Sequence, residues 1–254
     1  ANLWTGFISL WVSDIEKEHP EIAYQNAIAS MIQKYTQLKA ATGAIIARRL
    51  DITSRLEAHE RVDSTGQVAT PLTQAEVERV AAVLKNASAS QVESVAIVLL
   101  FSFLHPAHEA ALAERLRLDG FFVSVSHEIL PEFREYERSS TVAVNAALRP
   151  VMAGYLHKLE QGVERAQLSV MQSAGGIIPA AIAAVLPVHT VLSGPAGGVI
   201  AAARTGELIG LDRLITFDMG GTSTDVSLYD RRPTLNNVKT VAGMPIRIPV
   251  IDIH

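Results

Sequence analysis

The stretch that most constrains this chain is LITFDMGGTSTDVSLY, at residues 214–229. It contains two short apolar runs, residues 214–217 and 226–229, separated by residues rich in glycine and small hydroxyl side chains. A glycine-rich turn between two apolar runs predicts a β-hairpin. An ordinary hairpin turn needs neither the two bracketing aspartates, Asp218 and Asp225, nor a run of consecutive hydroxyl residues. The turn therefore has the composition of a binding site.

A turn of this kind is suited to holding phosphate. Gly220 and Gly221 have no side chains, so their backbone N–H groups can approach an anion closely. Asp218, at the strand end, could hold a hydrated Mg²⁺, because that ion keeps most of its waters and takes only one or two carboxylates. The alternative is a surface hairpin whose polar side chains only satisfy the turn, but the complete pattern favours phosphate binding. Further hydrogen bonds would come from the hydroxyl residues Thr222, Ser223 and Thr224.

A second stretch of small residues, SGPAGG at residues 193–198, precedes the hairpin. It follows a predicted strand at residues 188–192 and opens a predicted helix. The free N–H groups and the dipole of a helix N-terminus can bind an anion, whereas close packing of the helix is the alternative explanation for the glycines. With the phosphate hairpin following, a role in a nucleotide cleft is favoured. The residues that would contribute are Ser193, Gly194, Gly197 and Gly198.

Further upstream, the pattern predicts a β-α-β unit. Residues 95–103 are almost uninterruptedly apolar, as in a strand buried on both faces of a sheet. Residues 106–118 predict a helix, and residues 121–126 predict a second strand. This order implies a parallel strand pair with a right-handed crossover. An earlier helix is expected to open with a capping box formed by Thr73 and Glu76.

The segment HEILPEFREYERSS, residues 127–140, follows the second of these strands and is densely charged. Strand ends of open α/β sheets are where ligands bind, so contacts to a substrate or a domain interface are one interpretation. A solvated loop with internal ion pairs is the other, and the sequence leaves both open. The residues concerned are Glu128, Glu132, Arg134, Glu135, Tyr136, Glu137 and Arg138.

Two further features near this segment can be interpreted from the sequence. Ser139 or Ser140 could cap a long helix that runs to about residue 164, with Pro150 as a kink or break. His105 and His108 have a spacing compatible with a metal site, but a helix N-terminus with proline in its first turn explains them more simply.

Composition excludes several classes of function. A formal net charge of −4 without a basic patch argues against nucleic-acid binding. The chain has no cysteine, which excludes disulfides and thiolate metal sites and fits a cytoplasmic location. The longest apolar run, residues 95–104, is too short to span a membrane, and residues 1–12 do not resemble a signal peptide. We therefore expect no nucleic-acid and no membrane partner.

Several separated motifs carry a family resemblance: SHEILPEFREYERSST, MQSAGGI, LSGPAGGV, TFDMGGTSTDVSL and the terminal DIH. Together they resemble the hydantoinase A/5-oxoprolinase family, from about residue 55 to residue 254 but not in residues 1–50. The resemblance implies an α/β fold of the actin/Hsp70-like (ribonuclease H-like) ATPase type, incomplete here, with mixed sheets and flanking helices. Residues 1–50 are then an unassigned segment, residues 51–139 the remainder of the family's N-terminal domain, and residues 140–254 the first part of its hydantoinase A/oxoprolinase domain.

The resemblance also implies an activity, namely ATP-dependent hydrolysis of a cyclic amide such as 5-oxoproline or a hydantoin through phosphorylation of the carbonyl. ATP and Mg²⁺ are the implied cofactors, and a hydantoinase B-like subunit or domain is the implied partner. Asp218 would position the metal, and Asp225 would orient hydroxyl groups or a water. One motif departs from the family pattern, since Ala174 stands where related sequences carry asparagine.

The chain is expected to be a fragment, because it lacks an initiator methionine and ends within an apolar segment. The implied fold uses two lobes that each offer one phosphate-binding hairpin, and this sequence has a single D-x-G-G-T pattern. We therefore expect no turnover from the fragment alone. Two alternatives stay open at this point: a sugar- or acetate-kinase-like phosphotransferase on the same fold, and a non-catalytic actin-like ATPase regulatory module.

Overall fold

The computed structural model describes residues 56–88, 92–163, 167–219, 224–241 and 243–254. These residues form two compact units. The N-terminal unit contains the described residues up to Met152 together with Thr240–Arg247, and the C-terminal unit contains Ala153–Lys239 and Ile248–His254. The expectation for residues 1–50 lies outside the described residues. Among the described helices, none is both long enough and apolar enough to cross a lipid bilayer.

The N-terminal unit is built on the expected β-α-β unit. Strands β3 (Ser94–Ile97) and β4 (Phe122–Val125) pair in parallel along their whole length, which confirms the predicted pairing. Helices α1 (Gln74–Ser88) and α2 (Ala107–Leu118) cover them with an apolar core that includes Val77, Leu112 and Val123. The elements of this unit are β1 (Arg61–Val62), β2 (Val68–Thr70), α1 (Gln74–Ser88), β3 (Ser94–Ile97), α2 (Ala107–Leu118), β4 (Phe122–Val125), α3 (Ser126–Ile129) and the first part of α4 (Glu135–Gly162).

Helix α1 opens with half of the predicted capping box. The Thr73 hydroxyl accepts a hydrogen bond from the Glu76 backbone N–H at 3.2 Å. The Glu76 carboxylate takes other partners than the one the capping box requires. It pairs with Arg79 at 2.7 Å and accepts the His59 backbone N–H at 2.7 Å. The hydrogen bond from Arg79, followed by that from His59, lowers the pKa of Glu76 to about 2. An ionised Glu76 thus ties the start of α1 to the preceding segment.

Strand β3 is shorter than the apolar run predicts. It ends at Ile97, and the chain then enters a turn in which Phe101 has a φ of 56°. Leu100, expected inside the strand, is exposed. Apolar composition alone did not reveal where the strand ends. The turn that follows contains Phe101 in the left-handed conformation, and the sequence has no glycine or proline there that would predict a turn.

Helix α4 also differs from its prediction. It begins at Glu135, so Ser139 and Ser140 lie inside it and cap nothing. Pro150 lies in its interior and does not end it. A proline there leaves the carbonyl four residues earlier, that of Ala146, without its helical N–H partner. The Ser94 hydroxyl donates a hydrogen bond to this carbonyl at 2.7 Å, so the lost partner is replaced from another element.

The C-terminal unit contains the predicted hairpin. Strands β7 (Arg213–Met219) and β8 (Thr224–Asp230) pair antiparallel, from Arg213 opposite Asp230 to Met219 opposite Thr224, which confirms the prediction. The elements of this unit are the last part of α4, β5 (Ser169–Met171), β6 (Ile177–Pro179), α5 (Ala180–Val185), α6 (Ser193–Leu208), β7 (Arg213–Met219), β8 (Thr224–Asp230), β9 (Arg232–Pro233), β10 (Leu235–Asn236) and β13 (Val250–Ile251). The pair β11 (Lys239–Val241) and β12 (Met244–Ile246) precedes β13 in the chain and, from Thr240 on, belongs to the N-terminal unit.

The predicted strand at residues 188–192 is wrong. The chain forms a 3-10 helix at Pro187–Thr190 and then a turn in which Leu192 is left-handed, with a φ of 64°. Pro187 has no N–H for a ladder and a φ already suited to a helical turn, so it starts this helix. The Ser173 hydroxyl then donates a hydrogen bond to the His189 carbonyl at 2.8 Å.

Candidate functional site

Both aspartates of the hairpin lie on the face that packs against α6. Leu214 of β7 is in close contact with Gly206 of α6, and side chains alternate along a strand. Asp218 therefore lies on the same face as Leu214. Its cross-strand partner is Asp225, which shares that face because directly opposed residues do. Asp218 is exposed and Asp225 is partly buried.

The turn-side ends of β7 and β8, at Met219 and Thr224, lie at the end of the unit where α6 begins. From Gly206 back to Ser193, α6 runs roughly 20 Å. From Leu214 forward to Met219, β7 covers a similar distance toward the same end of the unit. A second connection supports this alignment, because Ile251 and Ile253 pack against Ala196 and Val199 in the first half of α6.

That terminal segment also pairs with the turn-side half of β8. The N–H and carbonyl groups of Val226 and His254 form two backbone hydrogen bonds, of 2.8 and 2.9 Å. The Ser227 hydroxyl donates to the Asp252 carbonyl at 2.8 Å. The sequence marked DIH only as a family motif. The tertiary structure places its His254 next to the strand that carries Asp225.

Of the predicted phosphate-binding residues in the turn, the structure describes Thr224. It is the exposed first residue of β8 and directly precedes Asp225. The other turn residues lie outside the described part of the chain, so their proposed contacts stay predictions: Gly220, Gly221, Thr222 and Ser223.

The SGPAGG stretch forms the first turns of α6, which begins at Ser193 itself, and does not form the loop that the sequence predicts. Gly194 and Gly197 are buried, and a Cβ on Gly197 would lie 3.8 Å from the Met171 Cε. Close packing thus accounts for these two glycines. Gly198 is exposed. Within the part of the chain that the structure describes, no side chain caps the N-terminus of α6, so its first N–H groups could bind an anion.

The turn at residues 173–176 holds the start of α6 in place. Ser173 is fully buried, and its carbonyl accepts the Ile251 N–H at 2.8 Å. Gly175 has a φ of 89°, and a Cβ there would lie 2.7 Å from the Ile200 Cδ1 and 2.9 Å from the Ile251 Cδ1. Only glycine fits this close approach. The sequence signal was a small hydroxyl residue two positions before a glycine pair, and its packing role was not predicted.

The opposite face of the hairpin is apolar and open. Ile215, Phe217, Met219 and Leu228 keep between 64% and 72% of their surface exposed. The alternation of side chains places them on the face that α6 does not cover. Such a concentration of large apolar side chains in one place is unusual for a surface.

The charged segment at residues 127–140 mostly forms ion pairs within the N-terminal unit. Glu128 pairs with Arg117 at 2.9 Å, and Glu132 pairs with Arg247 at 2.9 Å. Arg138 is fully buried and donates to the Leu99 carbonyl at 2.8 Å. Burial lowers the pKa of the Arg138 guanidinium. These contacts favour a structural role for the three side chains, whereas Tyr136 is exposed.

In the histidine pair at the start of α2, His108 is engaged by other residues of the chain. The His108 Nδ1 lies 2.6 Å from the Glu60 Oε2, and its Nε2 accepts the Leu72 N–H at 3.4 Å. Both ring nitrogens therefore have protein partners. Among the residues that the structure describes, no group of three or more histidine, aspartate or glutamate side chains could hold a metal ion.

Comparison with known proteins gives two matching family models. The model described as hydantoinase/oxoprolinase matches residues 138–254, and that described as the hydantoinase/oxoprolinase N-terminal region matches residues 16–120. The second match begins at residue 16, so the expectation that the resemblance does not reach into residues 1–50 is wrong.

Individual relatives agree with these matches. The 5-oxoprolinase of Saccharomyces cerevisiae is 36% identical over 201 residues, which are 75% of this chain and 15% of the relative. The caprolactamase subunit alpha of Pseudomonas jessenii is 36% identical over 174 residues, 66% of this chain and 25% of the relative. An uncharacterized protein of Methanocaldococcus jannaschii is 34% identical over 218 residues, 78% of this chain and 32% of the relative. The chain thus spans a third or less of the length of these relatives.

Two solved structures have the same fold. The ATP-dependent caprolactamase from Pseudomonas jessenii has a TM-score of 0.65 at 28% identity, covering 82% of this chain and 34% of that one. The nucleotide-free structure of acetone carboxylase has a TM-score of 0.60 at 26% identity, covering 77% and 28%. They confirm the expected α/β fold of the actin-like type, of which this chain is a part.

Proposed function

The chain belongs to the hydantoinase/oxoprolinase family, and from this premise we propose that it is part of an enzyme that uses ATP to open a cyclic amide. The observation that supports this most is the carboxylate pair of Asp218 and Asp225 at the end of a glycine-rich hairpin. The pair lies on the face shared with α6 and at the end where the first N–H groups of α6 are uncapped.

Opening an unactivated cyclic amide requires activation, because attack by water must break amide resonance. ATP would supply a phosphoryl group to the carbonyl oxygen. The phosphorylated oxygen is a better leaving group, and water can then attack the carbonyl carbon more easily. The contribution of this chain would be to hold the phosphates with oriented donors, since positioning and electrostatic stabilisation account for most of phosphoryl-transfer catalysis. The donors are the backbone N–H groups of the hairpin turn and of the start of α6.

The two carboxylates fit a hydrated Mg²⁺, which takes one or two carboxylates and keeps several waters. Asp218 is exposed at the strand end and is proposed to hold the metal, whose charge would offset that of the phosphates. Asp225, which is partly buried opposite Asp218, is proposed to orient hydroxyl groups or a water.

A partner subunit is part of the proposal. One relative is named as a subunit alpha, and the chain spans only a third or less of its relatives. We therefore expect the complete site to need sequence or a hydantoinase B-like subunit beyond this chain. The lack of cysteine supports a cytoplasmic location.

The test measures ADP release by the full-length protein with Mg·ATP and, in separate reactions, 5-oxoproline, hydantoin, caprolactam, or acetone with bicarbonate. Stimulation by one of the cyclic amides supports the proposal, and stimulation by acetone with bicarbonate alone refutes it. Calorimetry on this 254-residue chain should show much weaker Mg·ATP binding than the full-length protein. Tight binding with amide-stimulated ADP release by the chain alone would show that it holds a complete site.

A further inference from the structure

The outer edge of β7 has no strand partner in the part of the chain that the structure describes, where β7 pairs with β8 alone. Residues of an antiparallel pair alternate between those that exchange hydrogen bonds across the pair and those that do not. Val226 exchanges two backbone hydrogen bonds with His254, so it cannot exchange them with Phe217, its partner on β7. By the same alternation, the backbone N–H and carbonyl groups of both Ile215 and Phe217 face the open edge of β7.

The residues at this edge also carry exposed apolar side chains. Ile215 is 72% exposed and Phe217 is 64% exposed. Beside them lies a shallow cavity of about 300 Å³, whose lining includes Ile215, Leu228, Arg213 and Asp230. The charged groups of Arg213 and Asp230 are 3.7 Å apart. An apolar centre with a charged rim is the usual composition of a protein interface, so the open edge and the apolar face form a single surface.

Strand β7 also lacks the features that protect an edge strand from pairing. Such strands are usually very short, interrupted by a bulge, or supplied with lysine or proline. Strand β7 is seven residues long and pairs with β8 without a register shift, and residues 214–217 are Leu-Ile-Thr-Phe. An unprotected edge beside an apolar face is suited to strand addition, in which the backbone of the new strand bonds to the edge and its alternate side chains fill the adjoining surface.

The remainder of the full-length protein fits this surface better than other occupants do. The chain spans a third or less of its relatives, and a covalently attached segment binds at a high effective concentration. A second copy would have to cover roughly 800 Å² per partner for a stable dimer, whereas this surface offers four large apolar side chains. A lipid surface attracts apolar faces that are flanked by basic residues, but Arg213 is paired with Asp230.

We propose that β7 receives a further β-strand from the part of the full-length protein that lies outside these 254 residues, and that this strand places apolar side chains on Ile215, Phe217 and Leu228. The added strand would hold β7 from its open side, and with it the strand end that carries Asp218. This inference concerns the packing of the sheet and does not depend on the proposed function.

The experiment measures backbone hydrogen exchange at single residues in the 254-residue chain and in the full-length protein. In the chain, the amides of Ile215 and Phe217 should exchange fast, whereas the amide of Thr216, which faces β8, should be protected. In the full-length protein, exchange at Ile215 and Phe217 should be at least about a hundredfold slower than in the chain, because the added strand accepts their hydrogen bonds.

A variant tests the apolar face separately from the edge. In the full-length protein, Phe217→Ser should accelerate exchange at Ile215 by about tenfold or more, because the added strand loses an apolar contact. Leu118→Ser is the matched control, since Leu118 is an exposed leucine at the end of α2, and it should leave exchange in β7 unchanged.

Equal exchange at Ile215 and Phe217 in the chain and in the full-length protein overturns the proposal, and this comparison needs no variant. Unchanged exchange at Ile215 in Phe217→Ser overturns it as well. Protection in the chain that grows with its concentration would identify a second copy as the occupant and would also overturn it. Slow exchange in the full-length protein supports the proposal whether or not that protein opens a cyclic amide.

Discussion

Asp218 and Asp225 are direct cross-strand partners at the turn end of the β7–β8 hairpin. Two carboxylates opposite each other repel, and like charges in such pairs destabilise a sheet. In the proposed site, a cation held by Asp218 would relieve the repulsion between the two carboxylates.

The first prediction concerns this pair. Asp218→Asn in the full-length protein should lower amide-stimulated ADP release by about a hundredfold or more, because a metal-positioning charge is lost. The thermal midpoint should stay the same or rise, since the repulsion with Asp225 is removed. Asp230→Asn is the control, because Asp230 is an exposed carboxylate at the other end of the same hairpin. An Asp218→Asn enzyme with normal ADP release would contradict the assignment.

The second prediction concerns the packing of α6 on β7. A Cβ at Gly206 would lie 2.7 Å from the Leu214 Cδ1 and 2.8 Å from the Leu211 carbonyl oxygen. Gly206→Ala should therefore lower the free energy of unfolding by about 1–3 kcal/mol, despite the better helix propensity of alanine. Gly154→Ala in α4, where nothing lies within 4 Å, should raise it by up to about 1 kcal/mol. Urea denaturation of both variants measures the difference, and equal effects would show that the close approach is absent.

The third prediction concerns acid stability at the start of α1. Because Arg79 and the His59 N–H lower the pKa of Glu76 from 4.5 to about 2, its stabilising contribution is complete above pH 4.5 and is lost as the pH falls to about 2. Glu76→Gln should therefore have a lower thermal midpoint than the parent at neutral pH. This difference in midpoint should disappear as the pH falls from 4.5 to about 2. Thermal midpoints measured across this range test the claim. A constant gap would mean that ionisation of Glu76 contributes nothing.

The fourth prediction concerns the apolar face of the hairpin. Phe217 is 64% exposed, so Phe217→Ser should change the free energy of unfolding by no more than about 0.5 kcal/mol. It should also reduce self-association of the chain, since it breaks an exposed apolar surface. Val123→Ser, at a core residue that is 1% exposed, should destabilise strongly. Sedimentation and thermal unfolding provide the two readouts. A large loss of stability in Phe217→Ser would show that this face is covered in solution.

Local patterns in the sequence determined much of this protein. Apolar runs around a glycine-rich turn gave the β7–β8 hairpin, because that signal is complete within sixteen residues. The parallel pairing of β3 and β4 followed from the order of strand, helix and strand, since the crossover has one favoured hand. The family was evident from motifs that are short and ordered along the chain. Each of these inferences needs only neighbouring residues.

Contacts between distant residues decided the rest. Helix α4 continues through Pro150 because Ser94, far away in sequence, supplies the missing hydrogen bond to Ala146. A pattern of neighbouring residues cannot reveal that the Ser94 hydroxyl donates this hydrogen bond, so the sequence predicted a kink or break at Pro150. The same reason accounts for Glu109 and Ser173, whose partners lie on other elements and whose burial no pattern revealed. The sequence by itself thus determined which residues could form the site, and tertiary packing decided which of them are held in place.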